Sequence, residues 1–189
     1  MEKQKLSGPA IFMYSVMALT VTVAAVCFAL YYLRVFENGV ILWTGIVSFM
    51  ILYHFGLRIL FGKVTKHFNI NYNHPWYKHR KFEEWLYKLL FIRKWKDKVL
   101  TFEPELYDVK NRTLDQLATT MSKSELDHWI NEIISLLSIL FALLWGEWAI
   151  FIATAVIAMI FDAQFIVVQR YNRPIVLKLI KRQKARAAA

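Results

Sequence analysis

Three side chains that can transfer protons or bind metal ions recur at helical spacing in the second half of the chain. Glu125, His128 and Glu132 occupy positions i, i+3 and i+7, which places all three on one face of a helix. An imidazole oriented by a carboxylate can take a proton from a hydroxyl group, as acyl transfer to an alcohol requires. We therefore predict that His128 acts as a general base and that Glu125 assists it in catalysis.

A second polar group lies near the carboxyl end of the chain. It comprises Gln169, Arg170, Asn172 and Arg173. Guanidinium groups can hold a phosphate or the oxyanion that develops during acyl transfer. We predict that these four residues bind substrate and that Arg170 and Arg173 meet the anionic group of an acyl donor or the oxyanion.

The carboxylates and the histidine also permit a metal site. Glu125, His128, Glu132 and Asp162 offer the oxygen and nitrogen ligands that divalent metals take between the helices of a bundle. No cofactor is expected for the acyl-transfer interpretation. A divalent metal ion held by these four residues is the alternative.

Glu125 has a structural alternative as well. Ser122 and Glu125 have the spacing of a capping box, in which Ser122 begins a helix and Glu125 bonds back to its backbone. Under this interpretation Glu125 stabilises a helix end and has no part in catalysis.

Two apolar runs lie between the two polar groups. Residues 129–145 and 148–168 match the roughly 30 Å hydrocarbon thickness of a bilayer at a rise of about 1.5 Å per residue. The short break between them predicts a transmembrane helical hairpin. Both polar groups are therefore expected on the same side of the membrane.

The hairpin also predicts the depth of each polar side chain, because residues equally distant from the turn lie at equal depth. Glu132 comes level with Asp162, and His128 comes level with Phe165. Charged side chains inside a bilayer are costly unless they are paired or hydrated, and they commonly mark functional sites. We predict a polar pocket at the membrane edge that contains Glu132 and Asp162.

Composition and two further apolar runs place the whole chain in a membrane. The 189 residues are 57% hydrophobic and carry a formal net charge of +10, which is atypical of a soluble domain of this size. Residues 9–33 and 40–60 predict two more spans. We predict an all-α integral membrane protein with four transmembrane helices, and a single membrane-embedded domain over residues 1–186. Residues 187–189 are expected to be a tag remnant.

The positive charges predict the orientation. Residues 61–132 hold 13 Lys and Arg residues and the segment after Gln169 holds 7, whereas the connection at residues 34–39 holds one. The positive-inside tendency therefore predicts that both termini and the long loop, residues 61–128, lie on the cytoplasmic side of the cell membrane. No nucleic-acid motif accompanies these charges, so membrane lipids are the expected partners and nucleic acid is not.

The long loop contains a predicted interfacial amphipathic helix. Its apolar arc comprises Trp85, Leu89, Ile92, Trp95 and Val99. Arg93 and Lys94 lie on the opposite side, and we predict that they bind substrate together with Trp95 beside the lipid headgroups. The preceding polar residues, His79, Glu83 and Glu84, are predicted to form a solvated face.

Three motifs, in order and at similar spacing, resemble a known family. They are the IRKWKDK run at residues 92–98, the ELDHW run at 125–129 and the IVVQRYNRP run at 166–174. Over roughly residues 89–180 the chain resembles the glycosyl-4,4'-diaponeurosporenoate acyltransferase family, small bacterial membrane enzymes of carotenoid synthesis. The resemblance implies that a fatty acyl group is esterified to a glucose hydroxyl of a carotenoid glycoside.

Two departures from that family widen the range of expected acceptors. Asp162 and Gln164 stand where the family has Asn and Pro, so another glycosylated lipid is also an expected acceptor. An acyl thioester or a phospholipid would each suit the basic loop as acyl donor. A lipid-binding or assembly subunit without catalytic activity is the remaining alternative, and no oligomeric state is predicted.

Overall fold

The computed structural model describes residues 7–99 and 101–188, and all regular secondary structure in these ranges is helical. The α-helices are α1 (Gly8–Tyr32), α2 (Gly39–Thr65), α3 (Lys81–Leu89), α4 (Ile92–Trp95), α5 (Leu114–Leu137), α6 (Ala142–Trp145) and α7 (Trp148–Ala187). Short 3-10 helices occupy Pro75–Tyr77, Lys96–Lys98, Pro104–Tyr107 and Ser138–Phe141. Ala189, the last residue of the expected tag remnant, lies outside the described residues.

Four helical stretches are long and apolar enough to cross a membrane. They are Gly8–Tyr32, Gly39–Thr65, Leu114–Trp145 and Trp148–Ala187. The third of these continues from α5 through a 3-10 turn into α6. The prediction of an all-α membrane protein with four spanning helices is confirmed.

The helix that contains the third span begins at Leu114, well before residue 129, where the predicted apolar span begins. The Thr113 side chain accepts a hydrogen bond from the amide of Gln116, and the Gln116 side chain accepts one from the amide of Thr113, forming a capping box. Ser122 is consequently buried in the middle of α5. The alternative in which Ser122 begins a helix and Glu125 completes its cap is therefore wrong.

The helix α7 packs along α5 and carries most of the polar site. A buried stripe recurs on α7 every three or four residues and includes Ala158, Asp162, Ile166, Gln169, Arg173 and Val176. The connection before α7 turns at Gly146, whose φ of 72° lies in the left-handed region that glycine adopts without steric cost. The resulting antiparallel pair is the predicted hairpin, lengthened at its polar end.

The predicted interfacial helix is interrupted. Helix α3 ends at Leu89, and Phe91 then adopts a φ of 49° before α4 begins. This change of direction buries Ile92 completely, whereas Trp85 on α3 remains 66% exposed. The single apolar arc predicted over residues 85–99 is therefore wrong, because the left-handed residue separates its two halves.

Far from the polar site, an apolar and aromatic core joins the hairpin turn to the first two spans. Its fully buried members are Leu42, Ile46, Met50, Ala142 and Phe151. The Trp145 ring stacks on Phe28 of α1 with centroids 5.8 Å apart. This packing fixes α2 beside α5 and α7, and α2 contributes a residue to the site.

Candidate active site

A histidine and an aspartate meet between the two long helices. The Nδ1 atom of His128 lies 2.7 Å from Oδ1 of Asp162, which is fully buried. A carboxylate only accepts hydrogen bonds, so Nδ1 carries the proton and Nε2 is left as the basic atom. Nε2 has no hydrogen-bond partner among the described residues. The imidazole stacks on Phe165 at 4.4 Å, which confirms the predicted level of His128 and Phe165.

Asp162 has two further partners. Arg58 of α2 forms an ion pair with its Oδ2 atom, and Nε of Arg58 lies 3.4 Å from Oδ1. Asn131 of α5 donates to Oδ1 at 3.2 Å. Neither partner is among the predicted site residues. The sequence did contain a signal for Arg58: a cation inside a spanning helix needs an anion at the same depth in the membrane.

The hydrogen bonds of Glu125 go to two arginines of α7. Its Oε1 atom accepts a hydrogen bond from Nη1 of Arg170 at 2.5 Å, and its Oε2 atom accepts one from Nη1 of Arg173. The carboxylate is fully buried. Asp162, and not Glu125, is therefore the carboxylate that orients His128.

Arg170 and Arg173 are also held by groups from the loop. Arg170 donates to Oε1 of Glu83 from Nη2 at 2.5 Å and to the carbonyl of Lys78 at 3.2 Å. Arg173 donates to the carbonyl of Tyr77 at 2.6 Å. We call Glu83, Glu125, Arg170 and Arg173 the arginine clasp. These contacts fasten the loop segment from Tyr77 to Glu83 onto α7.

Glu83 was predicted to be solvated, and this prediction is wrong because the residue is only 3% exposed. Burial alone would raise the pKa of Glu83, but hydrogen bonds from Arg170 and Tyr87 outweigh it and hold the pKa below its usual value. A signal for this role did exist in the sequence. Two arginines on one buried helix face need more than the single carboxylate of Glu125 for compensation.

Gln169 lies at the edge of this region. It donates to the hydroxyl group of Tyr107 at 3.2 Å. Burial raises the pKa of Tyr107 to about 12, so this hydroxyl stays protonated at neutral pH. The neighbouring Asn172 is half-buried on α7.

The predicted substrate residues of α4 form a separate surface. Arg93 donates to the hydroxyl of Tyr171 at 3.0 Å, which connects α4 to α7. The indole of Trp95 donates to the carbonyl of Leu90 at 2.8 Å. Lys94 is exposed, with Nζ 5.0 Å from the centroid of the Phe91 ring.

The four ligands of the alternative metal site are divided among different partners. Glu125 is bound by the arginines of the clasp, whereas Asp162 is bound by His128 and Arg58. Within residues 7–99 and 101–188, no three His, Cys, Asp or Glu side chains converge in a way that could hold a metal ion.

A cleft of about 520 Å³ opens beside the hairpin, between the loop and the two long helices. Its walls are mainly apolar and aromatic: Trp76, Phe82, Leu86, Tyr87, Trp129, Ala163, Ile166 and Val167. Four charged residues complete the lining: Arg80, Glu83, Glu132 and Arg170. His128 itself does not line the cleft, but Glu132 stands one helical turn from it on α5. Of the two predicted pocket residues, Glu132 lines the cleft and Asp162 is not among its lining residues.

Comparison with known proteins identifies the family. No curated protein and no solved structure matches the chain. The family model described as glycosyl-4,4'-diaponeurosporenoate acyltransferase matches residues 73–182, which is more than half of the chain. This range contains the clasp, the His128–Asp162 pair and every lining residue of the cleft. The protein belongs to the glycosyl-4,4'-diaponeurosporenoate acyltransferase family.

Proposed function

We propose that the protein is a membrane O-acyltransferase that transfers a fatty acyl group to a hydroxyl of a glycosylated lipid or carotenoid glycoside at the cytoplasmic membrane face. Family membership supports acyl transfer in carotenoid glycoside synthesis. The four apolar helices support an enzyme that takes its substrates from a bilayer. The distribution of Lys and Arg supports cytoplasmic termini. The resemblance to a family of small bacterial membrane enzymes supports a bacterial cell membrane as the location.

The observation that carries the proposal is the hydrogen bond between Nδ1 of His128 and Asp162, together with the unpartnered Nε2. Nε2 takes the proton of the acceptor hydroxyl while its oxygen attacks the carbonyl carbon of the acyl donor. The tetrahedral intermediate then collapses, the bond to the leaving group breaks, and the imidazolium returns the proton to that group. Asp162 remains ionised and stabilises the imidazolium throughout.

The acyl donor is a thioester or a phospholipid, both of which carry anionic groups. Exposed Lys94 and the neighbouring Arg93 provide positive charge at the loop surface, and Arg93 is fixed to α7 through Tyr171. The arginines of the clasp are less suited to bind a donor, because internal carboxylates and carbonyls already occupy them. We therefore assign donor attraction to α4.

The experiment compares His128→Gln with His67→Gln, an exposed histidine outside the site. Purified variants in nanodiscs receive an acyl thioester and a glucosylated lipid, and mass spectrometry measures the ester product. We expect His128→Gln to lose about 10²- to 10⁴-fold in rate at unchanged thermal stability, as removal of a general base does. His67→Gln should retain the parent rate. Near-parent turnover by His128→Gln would remove the histidine from the mechanism.

A further inference from the structure

Glu132 is a charged residue of the cleft wall, and the positive charge of Arg58 acts on it only from beyond ion-pair distance. Within the described ranges, its carboxylate has no hydrogen-bond or ion-pair partner, and the residue is half-buried. In contrast, Glu83 and Arg170 of the same cleft are bound to each other at 2.5 Å. Arg80 is exposed at the surface.

The surroundings of Glu132 make an unpartnered carboxylate costly. Its neighbours in the cleft wall include Trp129 and Ile166, and it lies on a helix apolar enough to span a membrane. A polar group in such a place is retained at a free-energy cost unless something hydrogen-bonds to it. Glu132 therefore points to a ligand that donates hydrogen bonds.

The shape and lining of the cleft define that ligand more closely. Trp76 and Trp129 meet almost at a right angle, with ring centroids 6.0 Å apart and an interplanar angle of 75°. Indole side chains combine an apolar face with an N–H donor, which suits a ligand that is partly apolar and partly polar. The volume of about 520 Å³ lies in the range of small-molecule sites.

The charges beside Glu132 disfavour an anionic headgroup there. The guanidinium of Arg170 is already neutralised by Glu83 and Glu125. A phosphate or carboxylate placed next to Glu132 would be repelled by its carboxylate, and Arg80, the other arginine of the cleft lining, is exposed at the surface. A neutral headgroup rich in hydroxyls would instead donate to this carboxylate.

We infer that the cleft is the acceptor subsite and that Glu132 binds a sugar hydroxyl of a neutral, apolar-tailed glycoside. The inference rests on the proposed function and specifies which surface takes the acceptor. Glu132 and His128 are four residues apart on α5, and such neighbours lie about 5–6 Å apart at their Cβ atoms. A hydroxyl held by Glu132 is therefore delivered close to the proposed base.

Equilibrium binding tests this inference without requiring catalysis. The full chain in phosphatidylcholine nanodiscs is titrated with dodecyl glucoside brominated along its chain, and separately with brominated dodecanoate. Quenching of tryptophan fluorescence measures binding, at about pH 8.5 so that carboxyl groups are far above their ordinary pKa. We expect the glucoside to bind more tightly than the carboxylate.

The two probes should respond to Glu132→Gln in opposite directions. Glucoside affinity should fall about three- to tenfold, because a charge-assisted hydrogen bond becomes a neutral one. Dodecanoate affinity should rise, because the repelling charge is gone. The exposed Glu84 provides the matched control, and Glu84→Gln should change neither affinity. Parallel shifts for both probes, or no shift, would overturn the inference.

Two further variants locate the bound probe and separate the inference from catalysis. Quenching should largely disappear in a Trp76→Phe, Trp129→Phe double variant, and its full persistence would place the probe outside the cleft and overturn the inference. His128→Gln should bind the glucoside normally. Loss of turnover and loss of binding are therefore distinguishable, and failure of either proposal is visible by itself.

Discussion

His128 and Asp162 are 34 residues apart in the chain and are joined by a hydrogen bond of 2.7 Å between antiparallel helices. Arg58 approaches the same carboxylate from α2, so three spanning helices converge on one side chain. Phe165 holds the imidazole in a stacked position. The plane and the tautomer of the proposed base are thus both set before substrate arrives, as preorganised catalysis requires.

The first prediction separates the orienting role of Asp162 from its charge. Asp162→Asn keeps an oxygen that can accept from Nδ1 of His128 but loses the charge that stabilises the imidazolium, so its turnover should fall less than that of a variant without any acceptor. Asp162→Leu removes the acceptor and should lose about 10²- to 10⁴-fold. Initial rates of ester formation in nanodiscs measure both. Equal loss in the two variants would show that the charge itself is required.

Stability provides the control for this comparison. Asp162→Asn leaves Arg58 nearly buried without its carboxylate, and breaking a buried ion pair costs about 3–5 kcal/mol. Adding Arg58→Met should therefore recover thermal stability without changing the orienting amide. A double-mutant cycle that gave no coupling would mean that the pair contributes nothing to the fold.

The sequence was sufficient for the hairpin and for the depth of its side chains. Two apolar runs with a short break allow one antiparallel register, and the stacking of His128 on Phe165 agrees with it. The same register predicts that Glu125 lies close to the group that begins at Gln169, and it pairs with Arg170. The apolar pattern was enough to predict these contacts because the two long helices of the hairpin follow each other closely in the chain.

The sequence was insufficient for contacts made by elements far away along the chain. The ion pair between Asp162 and Arg58 depends on which face of α2 packs against the hairpin. The apolar pattern of the sequence does not predict this packing. Glu83 appeared solvated because its neighbours are charged, yet the clasp turns it inward. The left-handed Phe91 likewise breaks a helix that composition alone would continue.

The second prediction concerns membrane topology. Glu37→Cys and Lys110→Cys, each made in a Cys27→Ser background, should react with impermeant thiol reagents from opposite sides of the membrane, because the loop carrying Lys110 is rich in positive charge. Both positions are exposed. Glu37 is chosen because a cysteine at the neighbouring Asn38 would remove the N-cap of α2. Labelling in intact cells and in inverted vesicles measures the accessibility. Equal labelling of both cysteines in intact cells would reject the orientation.

The third prediction addresses the basic surface of α4. Lys94→Ala should raise the KM for an anionic acyl donor by a few-fold at unchanged kcat, because an exposed cation contributes long-range attraction that salt screens. Donor titrations at low and high ionic strength measure the effect, which should vanish at high salt. Lys63→Ala, an exposed lysine at the end of α2, is the control. If KM does not respond in either variant, these charges serve topology alone.

The fourth prediction treats the clasp as a structural fastening. Arg173→Gln removes a bond to buried Glu125 and a bond to the carbonyl of Tyr77, and should destabilise the protein by about 3–5 kcal/mol. Thermal unfolding gives the loss, and faster hydrogen exchange around Tyr77 gives its location. The exposed Arg182 on the same helix is the control, and Arg182→Gln should change neither. If Arg173→Gln instead kept the stability of the parent and raised the KM for the donor, Arg173 would be a substrate-binding residue.

The fifth prediction is the pH dependence of the clasp at Glu83. Its pKa in the folded protein lies below the ordinary value of 4.5, so the unfolded chain takes up a proton first as the pH falls. The stabilisation from Glu83 is therefore fully present above about pH 5 and is lost as the pH falls through the folded pKa. The difference in melting temperature between the parent and Glu83→Gln should not decrease from neutral pH to about pH 5, because Nδ1 of His79 lies 3.1 Å from Oε2 of Glu83 and attracts it when the imidazole is charged. The difference should shrink below about pH 5. Thermal unfolding followed by tryptophan fluorescence measures this difference, with Glu84→Gln as the exposed control. A difference that begins to shrink near neutral pH would mean that burial outweighs the arginine and raises the pKa of Glu83.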